Sequence, residues 1–161
     1  MAVAADIMTR NVVTVSPDTS VRDVAALLAT KRFGSVPVVD DTGKVLGIVT
    51  EEDMVLRAAN VHLPRHIMFL GSIVYLENPQ HFQEEADKIL ALTARDIMHE
   101  TFASIGPDTP IDDVASRMLN EDLRRVLVLD ADEKLIGIIT RADIVRMLFS
   151  GDRLPDMEQG T

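Results

Sequence analysis

The sequence predicts an α/β (α+β) fold: two tandem β-α-β-β-α units packed through their sheets with pseudo-twofold symmetry. Three observations predict it. Sliding the chain by 90 residues lays Asp6–Ala58 on Asp96–Leu148 without a gap, and roughly a third of the positions are then identical. Each copy alternates short apolar runs with one stretch of helical spacing. A unit of about 50 residues buries too little surface to stand alone, so the two should share one module.

The elements follow in chain order. Val12–Val15 is a short β-type run ended by Pro17. Val21, Val24, Ala25 and Leu28 then fall at i, i+3, i+4 and i+7, the spacing of an amphipathic helix. Thr19 is its expected N-cap, and in the second copy Thr109 is followed by Pro110, which suits a first helical residue. Two apolar runs, Val36–Val39 and Val45–Val49, flank the turn-forming "DDTGK" and predict a hairpin. A last short helix starts at Glu51. The second copy repeats every step. Residues 1–58 therefore form the first repeat and 95–150 the second, with a connector at 59–94 and a loose tail at 151–161. Within the connector "NVHLPRH" reads as a turn and "IMFLGSIVYLE" as an apolar run broken at Gly71. A helix is expected from near Asn78 or Pro79, with Phe82, Ala86, Ile89 and Leu90 on one face.

The bulk properties narrow the function. Net charge is −10 over 161 residues and the pI is about 4.7. A chain this acidic is badly suited to gripping nucleic acid over a wide surface, although a local basic pocket could hold one small anion. There is no cysteine, which excludes disulfides, thiolate nucleophiles and Cys-ligated zinc. "MAVAADIMTR" lacks the basic region and apolar core of a signal peptide. The longest apolar stretch, Ile67–Leu76, is about half of what a membrane-spanning helix needs. A cytoplasmic protein without membrane contact is expected.

One motif is written twice: "GIVTEED" at Gly47–Asp53 and "GIITRAD" at Gly137–Asp143. Thr-X-X-Asp ahead of a helix fits a capping box, and each Gly fits close packing in a strand. The same geometry fits a ligand. A helix N-terminus attracts anions, an Asp carboxylate accepts from both hydroxyls of a ribose, and apolar strands beside it offer a slot for a base. On that second reading the motif suits a nucleoside better than a bare phosphate. Both readings stand on the residues alone.

The duplicated unit, the "SPDT" lead-in, "VPVVD" at Val36–Asp40 with "VLVLD" at Val126–Asp130, and the repeated Gly-Ile-X-Thr-X-X-Asp ending resemble a pair of CBS domains, the Bateman module. The resemblance covers nearly all of Asp6–Leu148 apart from the connector. It implies a non-catalytic regulatory module, free-standing here, that binds an adenosine nucleotide such as AMP, ADP or ATP, or else S-adenosylmethionine. It further implies pockets built across the pseudo-twofold, with the Thr and Asp from one repeat and the base slot from the other. One pocket would combine Ile48, Thr50 and Asp53 with Met98, Ala103, Leu123, Arg124 and Arg125. The other would combine Ile138, Thr140 and Asp143 with Met8, Val13, Phe33, Gly34 and Ser35, and Arg141 would point toward the shared cleft. Guanidinium groups match phosphate oxygens, so the Asp53 pocket is expected to take the phosphorylated ligand.

Other candidates carry less. His62 and His66 are four residues apart, but Pro64 lies between them and no further ligand is evident, so no metal site is expected. No nucleophile–base pattern, phosphate-cradling Gly-rich loop or dinucleotide fingerprint is present, so no catalytic residue is named. The apolar Ile67–Leu76 run is a candidate homodimer contact. A protein-interaction module with vestigial pockets, engaging a target protein, is the alternative function.

Overall fold

The computed structural model describes residues 1–59, 66–76 and 78–149. The turn expected around 60–65, including His62, and the tail beyond 149 lie outside the described residues. The chain divides into two compact units, and the division does not follow the repeats. One, here the Asp53 unit, holds 14–41 and 46–100; the other, the Asp143 unit, holds 1–13, 42–45 and the chain from 101 onward.

In the Asp53 unit α2 (Val21–Lys31) lies against a two-stranded sheet of β1 (Ser35–Val39) and β2 (Val45–Thr50), and α3 (Glu51–Ala59) follows β2 directly. The N-cap of α2 is Ser20, one residue beyond the Thr19 expected from sequence; its side chain accepts from the Asp23 N–H. The strand expected over Val12–Val15 reduces to Val15, which bridges Val38 in parallel. Val21, Val24 and Leu28, the stripe legible in the sequence, are buried with Val36, Val38 and Val49. Each such side chain removed from water contributes about 1.5–3 kcal/mol before entropy is counted. The cluster is closed by Ala94 and Ile97 of the four-residue helix α5 (Ala94–Ile97). That helix opens the second repeat in sequence and packs on the first.

The Asp143 unit mirrors this arrangement. It contains α1 (Ala4–Ile7), β5 (Ser104–Ile105), α6 (Ile111–Asn120), β6 (Arg125–Leu129), β7 (Leu135–Thr140) and α7 (Arg141–Phe149). The sheet order is β5-β6-β7, with β5 parallel and β7 antiparallel to β6. Pro110 is the N-cap of α6 rather than its first helical residue. Ala4 and Met8 close the core over Val114, Met118, Val126, Val128 and Ile139. The short helix that opens the first repeat thus serves the second. Neither α1 nor α5 was expected from the sequence.

The connector supplies an antiparallel hairpin, β3 (His66–Phe69) and β4 (Ser72–Tyr75), and then α4 (Pro79–Leu90). Leu70 and Gly71 form the hairpin turn with φ of 50° and 79°, the two positive values of a tight primed turn. Asn78 caps α4 by accepting from the Gln80 N–H, and Pro79 takes the first helical position, as the sequence indicated. Phe82, Ala86, Ile89 and Leu90 are its half-buried positions.

Candidate functional site

The repeated Gly-Ile-X-Thr-X-X-Asp motif lies where a strand runs into a helix, once per unit. Its glycine has a packing role. A Cβ on Gly47 would sit 2.7 Å from the backbone oxygen of His99 and 2.8 Å from the Met98 sulfur. One on Gly137 would meet Met8, with the side-chain Cγ at 2.7 Å. Only hydrogen fits, because a foreign segment crosses the strand at that point. Its neighbour Ile48 exchanges two backbone hydrogen bonds with His99, and Ile138 exchanges two with Thr9, all between 2.9 and 3.0 Å.

The Thr and Asp then form the same capping box twice. The Thr50 N–H and hydroxyl both donate to Asp53 Oδ2, at 2.8 and 2.9 Å. The Thr140 N–H and hydroxyl both donate to Asp143 Oδ2, each at 2.8 Å. Asp53 and Asp143 are the two buried charged residues among those described. A buried carboxylate at a helix start is stabilised by the N–H dipoles around it. One oxygen of each carboxylate is consumed by the cap, and the second is turned outward.

That second oxygen is met differently in the two units. Asp143 Oδ1 accepts from Arg146 Nη1 at 2.8 Å, one turn along its own helix. Asp53 Oδ1 faces His99 Nε2 at 2.6 Å. The imidazole comes from the segment after α5 and is 58% exposed, whereas the Asp53 side chain is 10% exposed. His99 was not singled out from sequence. Its partner is 46 residues away, and the only available signal was the mismatch of His99 with Thr9 beside the repeated "DIM".

The residues named for the base slot fall into place by hairpin register. β6 and β7 are antiparallel, with Arg125 opposite Thr140, and the Arg141 N–H donates to the Arg124 oxygen at 3.2 Å. In the other unit the Glu51 N–H donates to the Gly34 oxygen at 3.0 Å. The start of each first strand therefore lies beside the Thr-Asp ending of its own repeat. The grouping expected from sequence paired these strand starts with the opposite repeat; the hairpins set Arg124 and Arg125 beside Thr140 and Arg141, and Gly34 beside Glu51. The physical reason is the hairpin itself, whose two strands must bring the first residue of one to the last residue of the other.

Met98 lies beside Gly47 and Met8 beside Gly137. Ala103 joins the Asp143 unit, where its carbonyl accepts from the Leu127 N–H. Val13 is exposed. Phe33 and Met98 lie at the rim of the Asp53-unit core, and Leu123 and Ala103 at the rim of the other. Each strand start is delivered by a left-handed residue, Arg32 or Asp122, with φ of 53° and 51°.

Arg141 has a local task. Its guanidinium donates to the Leu123 oxygen and to Asp122 Oδ1, both at 2.8 Å, tying down the turn before β6. Arg124 is exposed and Arg125 half-buried. The strand start opposite Thr140 thus carries Arg124 and Arg125, where the Asp53 unit has Gly34 and Ser35. Among the described residues no group of three or more His, Cys, Asp or Glu side chains could hold a metal ion, and no helix is long and apolar enough to cross a membrane.

Comparison with known proteins bears on this geometry. A family model described as "CBS domain" matches residues 3–60 and 94–150. An uncharacterised protein of Methanocaldococcus jannaschii is 29% identical over 150 residues, which span 89% of each chain. The chloroplastic CBS domain-containing protein CBSX2 of Arabidopsis thaliana is 31% identical over 147 residues, spanning 88% of this chain and 61% of that protein. The crystal structure of CBSX2 in complex with AMP is similar in fold, with a TM-score of 0.73 and 28% identity over 95% of this chain and all of that one.

Proposed function

Because the chain belongs to the CBS-domain family and carries the domain twice, we propose that it is a non-catalytic regulatory module that binds an adenosine nucleotide at its Thr-Asp endings. The observation that carries the reading is the pair of buried carboxylates, Asp53 and Asp143, each capping a helix through one oxygen and meeting an exposed side chain, His99 or Arg146, with the other. A ribose presents two hydroxyl donors to that oxygen. Met8, Ala103 and Leu123 belong to the core of the Asp143 unit, whose motif carries Ile138, and Met98 and Phe33 to that of the Asp53 unit, whose motif carries Ile48. Each provides a surface for a base. The AMP complex of CBSX2, 28% identical over nearly the whole chain, supports the ligand class.

The charge distribution supports a division of the ligands. Arg124 and Arg125 beside Thr140 suit a phosphate, so AMP, ADP or ATP goes to the Asp143 site. Gly34 and Ser35 beside Thr50 suit an uncharged or cationic adenosyl group, as in S-adenosylmethionine. The regulatory signal is the difference in ligand affinity between conformations of the module.

A melting series with AMP, ADP, ATP and S-adenosylmethionine tests the assignment. A ligand at a hundred times its Kd adds about 2.7 kcal/mol and raises Tm visibly. AMP is expected to stabilise the wild type and Asp53→Ala but not Asp143→Ala. No shift with any ligand would leave the protein-interaction reading. That reading has one observation in its favour: Met68, Phe69, Leu70, Ile73 and Val74 of the hairpin are all exposed, an uncharged surface suited to a second copy of this acidic chain. Sedimentation of Phe69→Glu against wild type tests whether a homodimer forms there.

A further inference from the structure

We infer that His99 is a specificity-determining residue of the Asp53 site, competing with the ligand for the carboxylate and making its affinity proton-dependent. The inference rests on the nucleotide-binding reading above and concerns one site of the two.

The imidazole is held in place by backbone, not by its own preference. The His99 N–H donates to the Ile48 oxygen at 2.9 Å, and the Ile48 N–H returns a bond at 3.0 Å. This bridge delivers Nε2 to Asp53 Oδ1 at 2.6 Å. An ionised carboxylate can only accept, so Nε2 is the donor. Asp53 Oδ2 is already taken by the Thr50 N–H and hydroxyl. A ribose hydroxyl reaching for this carboxylate therefore finds His99 on the oxygen it needs, and binding requires the imidazole to yield.

Histidine changes charge within the physiological pH range. Neutral, it offers the Asp53 carboxylate a hydrogen bond from an uncharged donor. Protonated, it adds the attraction of opposite charges to the same bond. Acidification thus strengthens the competitor and weakens an uncharged ligand. The Asp143 site has no such dependence. The position equivalent to His99 is Thr9, in the same two-bond bridge to Ile138, and the outward oxygen of Asp143 is met by Arg146, which stays protonated. The other charged groups on the elements meeting at the pair are Glu51, Glu52 and Arg57 of α3, Arg95, Asp96 and Glu100 beside His99, and Arg22, Asp23, Lys31 and Arg32 on or just after the neighbouring α2. His99 is the one histidine among them.

Adenosine is the probe, because it carries no phosphate whose own titration would confuse the result. Calorimetric titrations at about pH 8 and about pH 5.5 would be run on Asp143→Asn, which leaves the Asp53 site to be read alone, with and without His99→Gln. The expected result is a loss of about threefold or more in adenosine affinity on acidification, abolished by His99→Gln. The His99 ring resonance, assigned by its disappearance in His99→Gln, is expected to move when adenosine is added. Affinity that is unchanged or rises on acidification, or a pH dependence that survives His99→Gln, would overturn the inference while leaving nucleotide binding intact. Absence of adenosine and AMP binding to wild type at both pH values would instead remove the nucleotide reading, and this inference with it.

Discussion

At the end of β2 and at the end of β7 the backbone solves one problem twice. A glycine lets a distant segment cross the strand, an isoleucine bonds that segment, and a threonine and an aspartate cap the helix that follows. The bond lengths of the two caps agree within 0.1 Å. The company of the two carboxylates differs. Asp143 has Arg146 on its outward oxygen, with Arg124 and Arg125 at the neighbouring strand start. Asp53 has His99, with Gly34 and Ser35. The residues that hold the backbone are common to both repeats, and the residues that would touch a ligand are not. A duplicated scaffold can therefore present two different sites without refolding either.

The largest expected stability difference between the two endings is at the glycines. Gly47→Ala pushes a methyl group onto the backbone oxygen of His99. Gly137→Ala meets the Met8 side chain, which is more able to move. Overpacking of this kind costs about 1–3 kcal/mol. Gly47→Ala is expected near the upper end and Gly137→Ala near the lower, by urea denaturation of each variant.

Next come the caps. Asp53→Ala and Asp143→Ala each remove the acceptor of two hydrogen bonds at a helix start, a loss of about 1–2 kcal/mol. The costs should match within a few tenths, because the exposed His99 and Arg146 are left in water rather than buried. If the caps were the whole purpose of the motif, neither variant would alter ligand affinity.

A smaller contrast lies in the turns between the paired strands. Gly43 has φ of 87°, and the equivalent position in the second repeat is Glu133, with φ of 61°. Glu133→Gly is expected to stabilise by up to about 1 kcal/mol, offset in part by loss of the Lys44–Glu133 ion pair. Gly43→Ala should destabilise by a similar amount. Equal signs from the two substitutions would refute the equivalence.

The smallest effect concerns Asp96, at the start of α5. Hydrogen bonds from the Thr93 N–H and hydroxyl, with help from Arg57 and Arg95, hold its carboxyl below the usual carboxylate value. A lowered folded pKa gives stability that is present above the unfolded value of about 3.9 and is lost as pH falls through the lowered one. Asp96→Ala should therefore lower the urea midpoint at neutral pH, with the difference from wild type vanishing in strong acid.

Much of the fold was legible because the repeat doubled every signal. The stripe of Val21, Val24 and Leu28, the hairpin runs and the Asn78-Pro79 start of α4 all obey local rules. The short helices α1 and α5 were not legible. Four residues carry no periodicity, and their exchange between repeats is a long-range matter. The β3–β4 hairpin read as one apolar run because its turn contains Leu70 at positive φ, which propensity does not favour. In the candidate site, Thr50, Asp53, Thr140 and Asp143 were visible as a motif. The antiparallel hairpin, itself legible in the sequence, already places Arg125 opposite Thr140. His99 had no local signature at all.

The central claim is that the two endings are different ligand sites, set apart by the strand starts beside them. Copying one strand start onto the other tests it most directly. Arg124→Gly with Arg125→Ser gives the second repeat the residues of the first, and calorimetry then compares AMP with adenosine. The account predicts that wild type prefers AMP by about tenfold or more, roughly 1.4 kcal/mol, and that the double variant loses that preference while still binding adenosine. A preference for AMP that survives the exchange, or that is lost only on changing Asp53, would contradict it.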